Sequence, residues 1–288
     1  MKKPVALGRL GAILCLVWTL ESGCDGSGNV ETIETTGQPI YNGAVATDLS
    51  SGVVQVNGLK QCSGTIYNSY WVLTAAHCFP SSVDSNGDGV IDIREGSGQY
   101  NVTPGPSSTN TAISRRAFKV FRHPGAIWDS VLGVDIAMVW LDPKSTGFAN
   151  QNLDTLRYSS GTLRLYQGTA TRLFGAVVLA YGYGAAGPGQ PTGVLLRGWK
   201  LVTSVGGSYS GVAAPGVLSG PSCPRDSGGP DYFVAAGGDY SVAGVHSTGD
   251  FGCNGGEDGN VSAQFWRGWV SMTGASCPNP TAAGPCHR

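Results

Sequence analysis

Three short stretches of the chain hold side chains that together can catalyse acyl transfer. They are Leu-Thr-Ala-Ala-His-Cys around His77, Val-Asp-Ile-Ala-Met around Asp135, and Cys-Pro-Arg-Asp-Ser-Gly-Gly-Pro around Ser227. Cleaving an amide at neutral pH requires a nucleophile, a base for its proton, an acid that orients the base, and donors for the oxyanion. Each stretch alone is more often structural, but the order His, Asp, Ser is one of the few recurring triad arrangements. The sequence therefore predicts hydrolysis with Ser227 as the nucleophile.

Short apolar runs broken by turn residues must position these side chains. Each run has the length of a strand and is rich in β-branched or aromatic residues. The 45 glycines favour many tight turns, and the sequence lacks the repeat that a propeller or solenoid would show. A single helix is predicted around Ala263 to Ser271, so the pattern favours antiparallel β-barrels. The predicted strands include Gly52–Val56, Trp71–Thr74, Ile136–Leu141, Ala176–Ala180 and Ser241–Val245.

Residues 1–23 are predicted to be a signal peptide. Two lysines and an arginine precede the apolar run Leu10–Leu20, which is shorter than the stretch of about 20 residues that spans a bilayer. Residues 24–39 are polar and predict a linker or propeptide. No later stretch predicts a transmembrane helix, so we expect an exported protein.

The segment that ends in Cys24 resembles a bacterial lipoprotein processing box, although Glu21 stands where leucine is usual. Two outcomes stay open at this point. Lipidation of Cys24 would give a cell-envelope lipoprotein, whereas plain cleavage nearby would give a secreted protein.

Charge and cysteine usage agree with export. The formal net charge is −1, and no basic stripe favours nucleic acid as a partner. Six cysteines remain after Cys15 and Cys24, an even number that suits three disulfides in an oxidising compartment. They are Cys62, Cys78, Cys223, Cys253, Cys277 and Cys286.

A calcium-binding loop is predicted over residues 84–95. The stretch fits a twelve-residue EF-hand loop, with Gly89 at the tight turn. Calcium needs six to eight oxygen ligands, and the loop can supply them. No flanking pair of helices is evident, so we expect a stabilising Ca²⁺ site rather than a sensor. The expected ligands are Asp84, Asn86, Asp88, the Val90 carbonyl, Asp92 and Glu95.

The three catalytic stretches resemble the TAAHC, DIAL and GDSGGP motifs of the chymotrypsin/trypsin family, and the likeness extends from Ile40 to about Val270. The resemblance is to a bacterial-type exported member that carries an EF-hand-like insertion. It implies two packed six-stranded antiparallel β-barrels with a short C-terminal helix over residues 40–270, followed by a tail over 271–288. It also implies a serine endopeptidase that acts on protein or peptide substrates and is matured by an activating protease.

The resemblance assigns roles to individual residues. Ser227 attacks the carbonyl, His77 relays its proton, and Asp135 holds the imidazole tautomer. The backbone N–H groups of Arg225 and Ser227 form the oxyanion hole. The resemblance also pairs Cys62 with Cys78 and Cys223 with Cys253, and Cys277 with Cys286 is expected to form a local disulfide.

The same resemblance makes Ile40 and Asp226 an activation pair, in which the freed amine of Ile40 binds the buried carboxylate. Two departures bear on this scheme. Arg225 takes a place that is usually glycine, which puts the oxyanion hole in doubt, and Pro39 stands where a basic residue usually marks the activation cut.

The substrate pocket follows from the resemblance as well. Pro221 falls at the pocket floor, where an aspartate would select Arg or Lys, and Ser247, Gly249 and Gly259 resemble the walls. These residues argue against trypsin-like specificity. An alternative hypothesis, motivated by Arg225, is a catalytically weakened or inactive homologue that acts as a binding module.

Overall fold

The structure is a computed structural model, and it describes about three fifths of the chain. The described residues are 40, 43–47, 51–105, 114–127, 134–141, 163–185, 187, 189, 191–206, 208–213, 222–249 and 258–276. Several predicted features lie outside them: the signal peptide, Cys24, the linker with Pro39, Pro221, Cys253, and the tail with Cys277 and Cys286.

Fourteen strands and one α-helix follow one another along the described chain. The strands are β1 (Ala44–Val45), β2 (Val53–Asn57), β3 (Gln61–Asn68), β4 (Trp71–Thr74), β5 (Val90–Asp92), β6 (Asn101–Pro104), β7 (Arg115–Arg122), β8 (Ala137–Leu141), β9 (Val177–Gly182), β10 (Leu196–Val205), β11 (Ser208–Ala213), β12 (Pro230–Val234), β13 (Tyr240–Thr248) and β14 (Asp258–Ser262), and the helix is α1 (Ala263–Ser276).

The first half of the domain is a closed antiparallel barrel. Its strands follow the order β7-β6-β2-β3-β4-β8, and the pairing of β8 with β7 closes the ring. Strand β5 lies outside this ring and pairs with β7 between Lys119 and Phe121. Apolar side chains such as Val54, Ile66 and Leu73 fill the interior.

The second half closes in the same way. Its ring runs β10-β11-β14-β13-β12-β9, with β9 pairing back to β10, and β1 adds to the edge of β10. Buried and more exposed residues alternate along β10, as expected where one face of a strand lines a barrel. Each ring contains six strands, so the predicted fold of two six-stranded antiparallel barrels is confirmed.

Helix α1 joins the two barrels. It begins at Ala263, as the sequence predicts, and continues to Ser276, five residues beyond the predicted end. Trp266 and Val270, one turn apart, are fully buried on its inner face. Among the described residues, no helix combines the length and the apolar character needed to cross a membrane.

Candidate active site

Neighbouring strands of the first barrel bring His77 and Asp135 together. His77 lies in a 3₁₀ turn, Ala76–Cys78, that follows β4, and Asp135 precedes β8. Because β4 pairs with β8, with Thr74 opposite Ala137, the two loops leave the barrel side by side. A disulfide between Cys62 on β3 and Cys78 fixes the turn that carries the histidine.

Asp135 is fully buried and binds His77 through both of its carboxylate oxygens. Oδ2 lies 2.6 Å from Nδ1 of the imidazole, and Oδ1 accepts a hydrogen bond from the His77 backbone N–H at 2.8 Å. Since a carboxylate only accepts hydrogen bonds, the shared proton belongs on Nδ1. The tautomer that results leaves Nε2 free to act as a base.

Ser247 completes the surroundings of this carboxylate. Its hydroxyl donates to Oδ2 of Asp135 at 2.6 Å, although Ser247 lies on β13 of the second barrel. Buried polar groups need hydrogen-bond partners within the protein, and the Asp135 carboxylate has three. The sequence assigns Ser247 to the substrate pocket, and the structure adds this contact with Asp135, which spans the two barrels.

The nucleophile loop is held by backbone hydrogen bonds on both sides. The N–H of Ser63, on β3, donates to the Ser227 carbonyl at 2.8 Å, and the N–H of Gly228 donates to the His246 carbonyl at 2.8 Å. Gly228 has φ of +85°, and a Cβ there would lie 2.1 Å from Oγ1 of Thr74. Only glycine fits this position, because a side chain would be both strained and blocked.

Arg225 adopts the left-handed conformation that glycine favours, with φ of +82°. Its carbonyl accepts a hydrogen bond from the Ser63 hydroxyl at 3.0 Å, and its exposed guanidinium contacts Oγ1 of Thr192. The Ser63 hydroxyl in turn accepts from the N–H of Tyr183 at 2.9 Å. Arginine therefore stands in a glycine-type backbone conformation, which contacts from the first barrel hold in place.

Asp226 is buried next to the nucleophile, in a cavity that two glycines leave open. Its carboxylate accepts from the N–H groups of Gly184 at 2.7 Å and Cys223 at 2.8 Å. Burial raises the pKa of this carboxyl to about 6, even though His246, the two N–H groups and Lys200 act to lower it. A Cβ on Gly182 or Gly184 would lie 2.0 or 2.6 Å from the Asp226 carboxylate.

A family profile described as Trypsin matches residues 40–270. The chain belongs to the trypsin family. It is 30% identical to trypsin alpha-4 of Lucilia cuprina over 227 residues, which cover 73% of this chain and 77% of that protein. It is 25% identical to phenoloxidase-activating enzyme 1 of Spodoptera litura over 85% of this chain and 69% of that protein. Both relatives are insect proteins, so they lend no support to the bacterial character that the lipoprotein box suggests.

Two of the four predicted pocket residues lie on adjacent strands of this trypsin-family domain, Ser247 on β13 and Gly259 on β14, and Gly249 directly follows the end of β13. Thr248, next to Ser247, pairs with Gly259, and a Cβ on Gly249 would lie 2.8 Å from the carbonyl of Ser222. Pro221 lies outside the described residues. Cys223 is disulfide-bonded, and its predicted partner Cys253 also lies outside them.

The predicted calcium loop brings three carboxylates together. Oxygens of Asp84, Asp88 and Glu95 lie within 4.8 Å of one another. Asn86 accepts from the N–H of Asp88 at 2.8 Å, and Asp92, which is outside that group, accepts from the N–H of Arg94 at 2.8 Å.

Val90 begins β5, so the expected carbonyl ligand belongs to the strand that pairs with β7. In the trypsin-family domain this segment therefore lies against the first barrel.

Two residues near the site carry no sequence signal of their function. Ser63 contacts the nucleophile loop twice, through its N–H and its hydroxyl. Its carbonyl accepts from Oγ1 of Thr74, on the neighbouring strand β4, at 2.7 Å. Serine and threonine are common in strands and turns, so only the packing of the two barrels makes these contacts visible.

Proposed function

We propose that this chain is a serine endopeptidase. The observation that carries the proposal is the buried Asp135 carboxylate, which binds Nδ1 and the backbone N–H of His77 while it accepts the Ser247 hydroxyl. This arrangement supplies a neutral imidazole with Nε2 available as a base, beside a loop that presents Ser227.

The reaction follows from these positions. Ser227 Oγ attacks the substrate carbonyl while its proton passes to Nε2 of His77, and the imidazolium then gives that proton to the leaving amine as the C–N bond breaks. Water hydrolyses the acyl-enzyme by the same route and restores Ser227. The N–H groups of Arg225 and Ser227 would stabilise the oxyanion, and each such donor contributes about 100- to 1000-fold in rate.

The alternative is a weakened or inactive homologue that binds proteins without cleaving them. Arg225 motivates it, because a side chain at this position disfavours the backbone conformation that glycine adopts freely. The observed φ of +82° supports the enzyme hypothesis, since the backbone keeps the conformation expected of glycine despite the side chain.

A fluorophosphonate probe distinguishes the two hypotheses. It reacts with a serine only where a base and an oxyanion hole activate that serine. We expect labelling of Ser227 in the mature protein and none in the S227A variant. Absence of labelling in folded protein would contradict the enzyme hypothesis, and a peptide-library profile on the same protein would test our expectation that the pocket does not select Arg or Lys.

Maturation and location complete the proposal. Cleavage before Ile40 would free an amine that can pair with Asp226, and the side chain of Ile40 is already buried against Ala180 and Leu196. The protein is exported and acts on protein or peptide substrates. It is either a secreted enzyme or an enzyme anchored to the cell envelope by a lipid at Cys24. The intact mass of the mature protein from its native cells distinguishes these two forms.

We also propose that residues 84–95 bind one structural Ca²⁺ ion. Asp84, Asp88 and Glu95 would provide carboxylate oxygens, with Asn86, Asp92 and the Val90 carbonyl completing a set of the hard oxygen ligands that calcium prefers. Positive φ angles at Gly87 and Gly89 allow the loop to turn tightly around such a site. The ion would crosslink the loop next to β5 and so stabilise the folded first barrel.

A further inference from the structure

Three ionisable side chains meet inside the second barrel. Lys200 on β10 and His246 on β13 both bind Oδ1 of Asp231 on β12, at 2.8 Å from Nζ and 2.7 Å from Nε2. Nζ of Lys200 also lies 3.2 Å from Nε2 of His246. All three side chains are at most 1% exposed, and together they form a buried charge cluster.

The buried charge cluster connects strands that backbone pairing does not connect. In the ring of the second barrel, β10 pairs with β11 and β9, whereas β12 pairs with β13 and β9. The bond from Lys200 to Asp231 therefore crosses the barrel interior. It holds together two strands that are not neighbours in the ring.

The backbone ladders around the cluster are irregular. The register of β12 and β13 shifts directly after Asp231, and that of β13 and β14 shifts between His246 and Thr248. The partners of His246 and Thr248 on β14 are consecutive, so Ser247 is an extra residue in β13. Such a β-bulge leaves its extra residue outside the ladder and re-aims the side chain. Here that side chain carries the hydroxyl that donates to Oδ2 of Asp135 at 2.6 Å.

His246 is the residue that locates this bulge. Its side chain is held by the cluster, and its backbone is bound to the nucleophile loop. The His246 carbonyl accepts from the N–H of Gly228 at 2.8 Å, and its N–H donates to the Gly229 carbonyl at 2.9 Å. Ser247 follows directly, so a displacement of His246 would move the hydroxyl that binds Asp135.

Stability alone does not account for polar side chains in this interior. Gly198 and Val202 lie two positions to either side of Lys200 on the same face of β10, and both are buried and apolar. A buried ion pair can often be replaced by apolar side chains of similar volume without loss of stability. Hydrogen-bonded polar groups in a core instead specify one arrangement of the elements around them.

We propose that the three residues of the buried charge cluster are positioning residues that fix the bulge at Ser247. Oδ2 of Asp135 accepts from both the Ser247 hydroxyl and Nδ1 of His77, so a displaced hydroxyl would change the bond that orients the imidazole. The inference rests on the proposed endopeptidase function and adds to it residues that act without touching the substrate.

Two variants remove the anchor without leaving a buried charge unpaired. H246L keeps the ion pair of Lys200 with Asp231, and the double variant K200M/D231L removes both of its charges together. H246Q is the conservative variant, because its side-chain amide can still donate to Asp231. V202A is the matched control, since Val202 is buried on the same face of the same strand as Lys200.

Two measurements are made on the mature protein, at a temperature at which every variant is folded. The rate of fluorophosphonate labelling reports catalysis, with S227A as the background. The ¹H NMR signal of the proton between His77 and Asp135 reports the geometry of their hydrogen bond and is identified by its absence from H77A. This second measurement does not depend on catalysis.

We expect H246L and K200M/D231L to label at least about tenfold more slowly than wild type, since a displacement of about 1 Å can cost about 100-fold in rate. The proton signal should shift in both variants. H246Q should label at nearly the wild-type rate, and V202A should keep the rate and the signal although it lowers Tm. The slowing by H246L should be smaller in the S247A background, where the positioned hydroxyl is gone.

The outcomes separate the inference from the function on which it rests. If H246L and K200M/D231L keep the wild-type rate and proton signal, the cluster is only structural and the inference is wrong. If H246L slows labelling equally with and without the Ser247 hydroxyl, Ser247 is not the route and the inference is also wrong. If wild type itself does not label, the proposed function fails, while the proton signal still tests the positioning.

Hydrogen exchange on the wild-type protein requires no variant to fold. The His246 N–H should exchange as slowly as the N–H groups in the middle of β10, because the cluster and the nucleophile loop hold this residue in the barrel. Exchange as fast as that of the exposed turn at Gly237 and Gly238 would overturn the inference.

Discussion

Removal of the Ser63 hydroxyl tests most directly how the first barrel supports the oxyanion hole. It donates to the Arg225 carbonyl and accepts from the Tyr183 N–H, and the side chain is fully buried. The substitution S63A removes both hydrogen bonds with the loss of a single oxygen atom. We expect separate effects on stability and on rate.

The stability effect comes from Tyr183. Its N–H would be left buried without its acceptor, which costs about 1–3 kcal/mol. For a domain of this size each kcal/mol lowers Tm by about 2–4 °C, so S63A should melt roughly 2–12 °C below wild type. The same loss should occur whatever residue stands at position 225.

The rate effect comes from Arg225. A left-handed conformation costs a non-glycine residue about 1–2 kcal/mol, and the Ser63 hydroxyl is one of the contacts that holds it there. Without that contact the loop can relax away from the conformation that supports the oxyanion. A change of 1–2 kcal/mol corresponds to a factor of about 5–30, so fluorophosphonate labelling should slow by that factor.

The variant R225G separates the two effects, because glycine adopts the left-handed conformation without strain. In the R225G background, S63A should still lower Tm but should leave the labelling rate nearly unchanged. S97A is the matched control, since Ser97 is fully buried and donates to the Phe118 carbonyl within the first barrel. It should lower Tm without slowing labelling. If S63A slows labelling equally in both backgrounds, the anchoring of Arg225 by Ser63 is refuted.

Three further predictions concern ionisation, the disulfide and calcium. The pKa of Asp226 is higher in the folded than in the unfolded protein, so the stability that its protonation contributes is present at low pH and is lost as pH rises through about 6. In protein that has not been cleaved before Ile40, the free energy of unfolding of wild type should therefore fall relative to that of D226N between about pH 4 and pH 7. A difference that stays constant over this range would contradict the prediction. Replacing Cys62 and Cys78, 16 residues apart, with serine should lower stability in urea by about 3 kcal/mol, and an unchanged midpoint would contradict it. Calcium at about 100 times its Kd should raise the free energy of unfolding by about 2.7 kcal/mol, which raises Tm by at least about 5 °C over chelated protein. The double variant D84A/E95A should lose this rise in Tm. A rise that persists in the double variant would contradict the site.

The fold could be predicted from sequence because each strand and the helix is marked by residues within its own segment. Trp71–Thr74 is a strand with the predicted bounds, and α1 begins at the predicted residue, since short apolar runs and turn residues specify their own conformation. The predicted Ser241–Val245 is longer in the structure, extending to Thr248, because polar residues at its end still pair with β14. Backbone pairing does not require apolar side chains, so the pattern ends before the strand does.

A buried cluster in the second barrel, in which Lys200 and His246 both bind the Asp231 carboxylate, could not be predicted in this way. Lys200 lies on the inward face of β10, where the alternation favours an apolar residue, and nothing local indicates that Asp231 and His246 lie opposite. Only closure of the barrel brings the three strands to one interior. Ser63 escaped prediction for the same reason, because its partners Tyr183 and Arg225 belong to the other barrel.

The position of helix α1 near the end of the chain means that it is synthesised after the first-barrel residues that it contacts. It follows β14, yet the rings of Trp269 and His123 meet edge to face with centroids 5.2 Å apart, and Gly274 packs against Tyr67 of β3. During synthesis at about 5–20 residues per second, the first-barrel surface that α1 covers is complete on the order of ten seconds before the helix exists. His77 and Asp135 are made well before Ser227, so a nascent chain holds the base of the reaction without its nucleophile. In the proposed endopeptidase, the nucleophile is therefore the last triad member to be synthesised, when nearly the whole domain has been made.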